Sequence, residues 1–188
     1  MNCKYILGIF LVLGGLISCN DKKKSDEVVE TTTDMWADYN VGDVDFKDLS
    51  PETKGSAIYH AIVPNPEKYI AEQARKVLKT LYFSPEDSIP DIETICYNLK
   101  DYDGVSAKSG EPPVITIDYS TQWVEKSFVN NDTARVDYET RGVLYHELTH
   151  GFQLEPQGIG TYGTNKTFWA MIEGVADAVR LLNGCFTP

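Results

Sequence analysis

His146-Glu147-Leu148-Thr149-His150 is the segment whose residue types and spacing can do chemistry. Two of the chain's three histidines stand four residues apart, with a glutamate between them. On a helix that step stacks two side chains on one face, so both imidazoles can be offered to one ion. Zinc accepts such a pair, needs a third protein ligand, and in a catalytic site keeps a position open for water. Glu147 lies next to His146 and can reach that water as general base, while zinc lowers the water's pKa and holds charge developing on an attacked carbonyl. The competing structural role is two histidines that cap or pack within a helix.

The third ligand should come from Glu173-Gly174-Val175-Ala176-Asp177, where the two acids share a helix face. Glu173 is the favoured ligand, and Asp177 would accept the outer-ring hydrogen of a ligand histidine and fix its tautomer. The alternative is a solvated helix face on which Asp177 pairs with Arg180. His60, without a partner at metal spacing, and Glu155, too soon after His150 for the chain to turn back, are rival ligands. Gln153, three positions after His150, would touch substrate or hydrogen-bond the 158–163 loop, the structural role being favoured. Asp101 and Asp103 beside Gly104 lack the ordered acidic ligands of a calcium loop and read as a turn.

These groups need elements to hold them. Val143, Leu144, Leu148 and Phe152 supply apolar positions without proline, predicting a helix from about Thr140 to Phe152. Tyr145 should point away from its histidine face, and Gly151 should admit a close neighbour. A second helix is expected over about 167–183, ended by Gly184. Asn65 followed by Pro66, with Ile70, Ala74, Val77, Leu78 and Leu81, predicts a helix over 66–81. Strands are expected over 92–99 and 114–119, and a further helix over about 120–130, broken by Asn130-Asn131-Asp132. Trp123 and Trp169 are expected as core anchors. Residues 20 to about 50 read as a linker with Trp36, Tyr39 and Phe46 as packing points. The pattern is α+β.

Three blocks also carry a resemblance: Asp103-Gly104-Val105-Ser106 through Ile115-Thr116-Ile117, Gly142 through His150 with Gln153, and Ile172 through Leu181. Over about residue 45 to the end, the chain resembles the plant basic secretory protein family and its bacterial relatives, zincin-like metallopeptidases. The resemblance implies an α+β zincin-like domain with a small sheet and an active-site helix carrying HExxH. It implies Glu173 as the glutamate ligand following the histidine pair. It also implies that Val114 to Asp118 is the edge strand along the cleft, where an extended peptide could add its backbone. Zincins commonly stabilise the oxyanion with a Tyr or His; Tyr162 in the glycine-rich loop is available for that role, the alternative being a surface or core tyrosine among the chain's eleven. The chain departs from the family in being acidic, and in ending soon after Arg180 where members usually continue.

The N-terminus has another purpose. Lys4 precedes an apolar run from Ile6 to Ile17, too short for a comfortable span of roughly 30 Å and suited to a secretory signal. Leu16-Ile17-Ser18-Cys19 resembles a bacterial lipobox, whose cysteine is lipidated before cleavage. The expected organisation is 1–18 as lipoprotein signal peptide, 19–44 as lipidated Cys19 and flexible tether, and 45–188 as zincin-like domain, a candidate for truncation at its C-terminus. The location expected is the bacterial cell envelope, lipid-anchored, periplasmic or surface-exposed. Acidic residues outnumber basic ones 28 to 17, a balance that disfavours nucleic acid. Cys96 and Cys185 leave open one disulfide or two free thiols, and no spaced cysteine pair exists to hold metal.

The function expected is a zinc endopeptidase acting on peptides or proteins outside the cytoplasm. Its rivals are an envelope binding lipoprotein with a structural metal site, and a zinc hydrolase of a non-peptide amide or ester. Glu147 favours catalysis, because a closed zinc site needs no base beside a water.

Overall fold

The computed structural model describes residues 34–185. The expected signal peptide and Cys19 lie outside the described residues. Within them the order is β1 (Asp43–Asp48), α1 (Lys54–Ile62), α2 (Pro66–Leu81), β2 (Thr94–Lys100), β3 (Ser106–Glu111), β4 (Val114–Ser120), α3 (Thr121–Ser127), α4 (Thr133–Phe152) and α5 (Lys166–Leu182). This is an α+β fold built on a four-stranded sheet in the order β1-β2-β4-β3.

β1, β2 and β4 run parallel, and β3 returns antiparallel to β4 with Ser106 opposite Tyr119 and Glu111 opposite Val114. Alternation decides which way each strand faces: Ile95, Tyr97 and Leu99 of β2 and Ile115, Ile117 and Tyr119 of β4 are buried. Burying each such aliphatic side chain contributes roughly 1.5–3 kcal/mol. The face opposite carries Asn98, Lys100 and Asp118, which bond one another across β2 and β4. The edge strand is therefore β3 and not Val114 to Asp118, which pairs on both sides. Its sequence, Ser106-Ala107-Lys108-Ser109-Gly110-Glu111, has no apolar alternation to betray it.

Helix starts follow their caps. The Asn65 side chain accepts the Lys68 N–H ahead of α2, and Asn165 accepts the N–H groups of Thr167 and Phe168 ahead of α5. α4 begins at Thr133, a full two turns before the first apolar residues suggested, because Asp132 caps the Arg135 N–H. Just before it, Asn130 and Asn131 take positive φ (55° and 59°) and break the chain after α3. Of the segment read as a linker, residues 34–50 are described and are more structured than that: Trp36 and Val41 join the core and β1 pairs along β2. Trp123 packs against the core, whereas Trp169 is 48% exposed and is no core anchor. Cys96 and Cys185 are free thiols, the first half-buried and the second buried. Among the described residues no helix is long and apolar enough to cross a membrane.

Two glycines set close approaches. A Cβ on Gly151 would stand 2.6 Å from Ile115 Cδ1, so the end of α4 lies directly on β4. A Cβ on Gly55 would stand 2.1 Å from the Thr121 carbonyl oxygen, which brings α1 onto the start of α3.

Candidate metal centre and catalytic cleft

α4 lies across the sheet with Leu144, Tyr145, Leu148 and Phe152 buried, and the Tyr145 hydroxyl donates to Gln73 Oε1 at 2.9 Å on the far side from the histidines. That packing turns His146, Glu147 and His150 toward α5 and the β3 edge. α5 buries Phe168, Ile172, Ala176 and Val179, which brings Glu173 and Asp177 to the same place.

His146 Nε2 and His150 Nε2 lie 3.0 Å apart, His146 Nε2 is 3.2 Å from Glu173 Oε2, and His150 Nε2 is 3.6 Å from Glu173 Oε1. A tetrahedral zinc with bonds of 2.0–2.1 Å would separate its ligand atoms by roughly 3.3 Å, so the three donors fit that ion closely. The outward nitrogens are also occupied. His146 Nδ1 is 3.2 Å from Asp177 Oδ1, and His150 Nδ1 is 2.9 Å from the Gln153 amide. The Asp177 carboxylate accepts from His146 Nδ1–H, which leaves that Nε2 lone pair free to point inward; the Gln153 atom facing His150 Nδ1 is the amide nitrogen. Asp177 also lies 3.9 Å from Arg180 Nη1. His60 instead pairs with Asp48 at 3.0 Å, and Glu155 lines the cleft without joining the three convergent donors.

Glu147 is 7% exposed, and Ser106 Oγ donates to its Oε1 at 2.5 Å from the β3 edge. Burial lifts the Glu147 carboxyl above the usual carboxylate range, against the Ser106 hydrogen bond and the His146 charge, which pull it down. Burial, followed by the neighbouring His146 charge, lowers His150 to about 4, keeping its imidazole neutral and able to bind metal. The Tyr162 hydroxyl donates to Glu173 Oε1 at 2.8 Å and accepts from Trp169 Nε1 at 3.0 Å. This explains why Trp169 stays near the surface: its ring bridges the loop to α5. Burial, and then the bond to Glu173, raises the Tyr162 phenol.

The cleft enclosing these groups has a volume of about 470 Å³ and runs from Ser106, Ala107, Lys108 and Glu111 across the histidines to Tyr162 and Glu173. Ser106 and Lys108 carry no motif of their own. Ser106 closes the Asp103-Gly104-Val105-Ser106 block, and only the hairpin geometry reveals that it meets Glu147.

Two histidines one turn apart on α4, a glutamate between them and a downstream glutamate on α5 define an HExxH-type zincin arrangement able to chelate a divalent metal. The fold and site therefore define a zincin-like metallopeptidase. The family model described as "Peptidase of plants and bacteria" matches residues 41–188, and the chain belongs to that family. No curated protein and no solved structure matches it.

Proposed function

We propose that this chain is a zinc-dependent endopeptidase of extracytoplasmic polypeptides, with Glu147 as its general base. The observation that carries the reading is the convergence of His146 Nε2, His150 Nε2 and a Glu173 carboxylate oxygen beside a buried glutamate. Two imidazoles and one carboxylate suit zinc; calcium and magnesium prefer oxygen ligands throughout. Zinc held there supplies a Lewis acid for the scissile carbonyl and makes water more acidic.

The chain's own residues do the rest. Glu147 takes a proton from the attacking water as the new C–O bond forms, and passes it to the leaving nitrogen as the C–N bond breaks. The raised affinity of its carboxyl for protons suits both halves of that transfer. Asp177 accepts from His146 Nδ1–H and fixes its tautomer. Gln153 does the same for His150 once its amide oxygen, exchanged with the nitrogen by a half-turn, faces Nδ1–H. Tyr162 is the donor to the carbonyl oxygen as it gains charge, a role supported by its hydroxyl lying beside Glu173 within the cleft. A peptide lies along the free edge of β3, which lines the cleft.

Leu16-Ile17-Ser18-Cys19 supports a lipid on Cys19 that tethers the domain to a bacterial membrane, on its periplasmic or outer surface. Mass spectrometry of the membrane-extracted protein checks this: a diacylated N-terminal peptide is expected, and its loss in Cys19→Ala should release the protein.

Hydrolysis of a diverse quenched-fluorescence peptide library, at matched zinc content, tests the activity. Glu147→Gln should lose about 10²–10⁴-fold in rate while retaining zinc. A folded, zinc-loaded wild type that cleaves no peptide would move the assignment to a metal-stabilised binding lipoprotein or a hydrolase of another amide or ester.

A further inference from the structure

We propose that Lys108 is a specificity residue that selects substrates carrying an acidic side chain within about two residues of the scissile bond. The inference rests on the peptidase reading above. Among the residues lining the cleft, Lys108 brings the single ammonium, and no guanidinium is present. Its side chain is 11% exposed, although lysine is seldom buried unless paired. The partner it has is weak: Glu111 stands at 3.4 Å on the hairpin end with its own side chain 76% exposed, where solvent screens most of the attraction. Glu147 and Glu173 are engaged in the metal and base cluster, so a cation enclosed in the cleft faces the position where substrate enters.

The strand geometry says which part of the substrate it meets. Ser106 and Lys108 sit two residues apart on β3, so their side chains leave the same face, roughly 7 Å apart along the strand. Ser106 bonds Glu147, which fixes the start of β3 against the reacting centre, and Lys108 lines the same cleft two residues on. A peptide added to the β3 edge places the side chain opposite Lys108 on the same face, with Cβ atoms roughly 4.5–5.5 Å apart. A substrate carboxylate at that place replaces Glu111 as the partner of the ammonium, in a cleft that excludes more water than the hairpin end does.

The test scans a single Glu, Gln or Lys through an otherwise neutral peptide, reading cleavage by the zinc-loaded wild type and binding by zinc-loaded Glu147→Gln. At one position near the cleavage point, Glu should be favoured over Gln by about tenfold and over Lys by more. Lys108→Met should erase that preference, Lys108→Glu should invert it toward Lys, and Lys108→Arg should keep it. Circular dichroism confirms that each variant folds, and the selectivity ratio needs no assumption about its absolute rate. Equal treatment of the three peptides, or a Glu preference that survives Lys108→Met, overturns the proposal. Failure of the peptidase reading looks different: no peptide is cleaved, yet the binding ratios still report whether Lys108 selects charge.

Discussion

At the scale of single residues, the site depends on groups that hold other groups. Glu147 is almost enclosed, and Ser106 is the side chain that orients it from a different element. A hydrogen bond to a charged group contributes about 1.5–3 kcal/mol, and a carboxylate free to rotate would keep part of its function. Ser106→Ala should therefore lower kcat by about tenfold, equivalent to about 1.4 kcal/mol, with KM little changed and zinc retained. Ser106→Thr should recover much of the loss, since the hydroxyl is kept. A KM effect alone in steady-state kinetics would place Ser106 against substrate instead. Most of the metal site was legible at this scale, because helical spacing alone brings His146 to His150 and Glu173 to Asp177. Ser106 and Lys108 were not, since their meeting with α4 depends on strand pairing 41 residues away in sequence from Glu147. Tyr162 was legible only as a tyrosine in the right loop; its bond to Glu173 needs the turn between α4 and α5.

Elements hold those residues by close approach and by shared polar anchors. Long amphipathic helices announce themselves by period, which is why α2 and α5 match their expected spans within a residue or so. β1, β3 and α1 are short or polar, and their stability comes from neighbours that periodicity does not reveal. Gly151 and Gly55 distinguish two kinds of close contact. The obstacle at Gly151 is the terminal methyl of Ile115, which can move; at Gly55 it is the Thr121 carbonyl, which cannot. Gly151→Ala should cost about 1–3 kcal/mol by denaturant unfolding and recover part of it in combination with Ile115→Val. Gly55→Ala should cost at least as much, with no recovery from shortening a side chain at Thr121. Asp48 links β1 to α1 by accepting from Ser50 N–H, Ser56 Oγ and His60 Nε2. Burial would raise its carboxyl, but those three bonds outweigh it and leave the pKa below the ordinary value. A depressed folded-state pKa gives stability that is complete above the unfolded pKa of about 3.9 and lost as pH falls through the folded value. Asp48→Asn should thus destabilise the domain at pH 6 and do so much less near pH 3. An equal destabilisation at both pH values in urea titrations would show that the effect is packing and not charge.

For the molecule as a whole, the placement of the three convergent donors would let a metal clasp α4 to α5. The core is continuous from Trp36 through the sheet to Phe152, but α5 reaches it through one face and leaves Trp169, Met171, Leu181 and Leu182 outside. Two ligand atoms come from α4 and the third from α5, so an ion binding all three joins the last helix to the rest of the fold. A ligand that binds only the folded state stabilises it by about 4 kcal/mol at a thousand times its Kd. For a domain of this size each kcal/mol shifts Tm by about 2–4 °C. Chelation should therefore lower Tm by several degrees or more, and zinc should restore it. The loss should be uneven: hydrogen exchange should quicken in α5 and in the 158–163 loop that carries Tyr162, while β2 and β4 remain protected. Uniform loosening across sheet and helices would mean that the ion supports the whole core, and an unchanged Tm would show that α5 holds its place through Phe168, Ile172, Ala176 and Val179 alone.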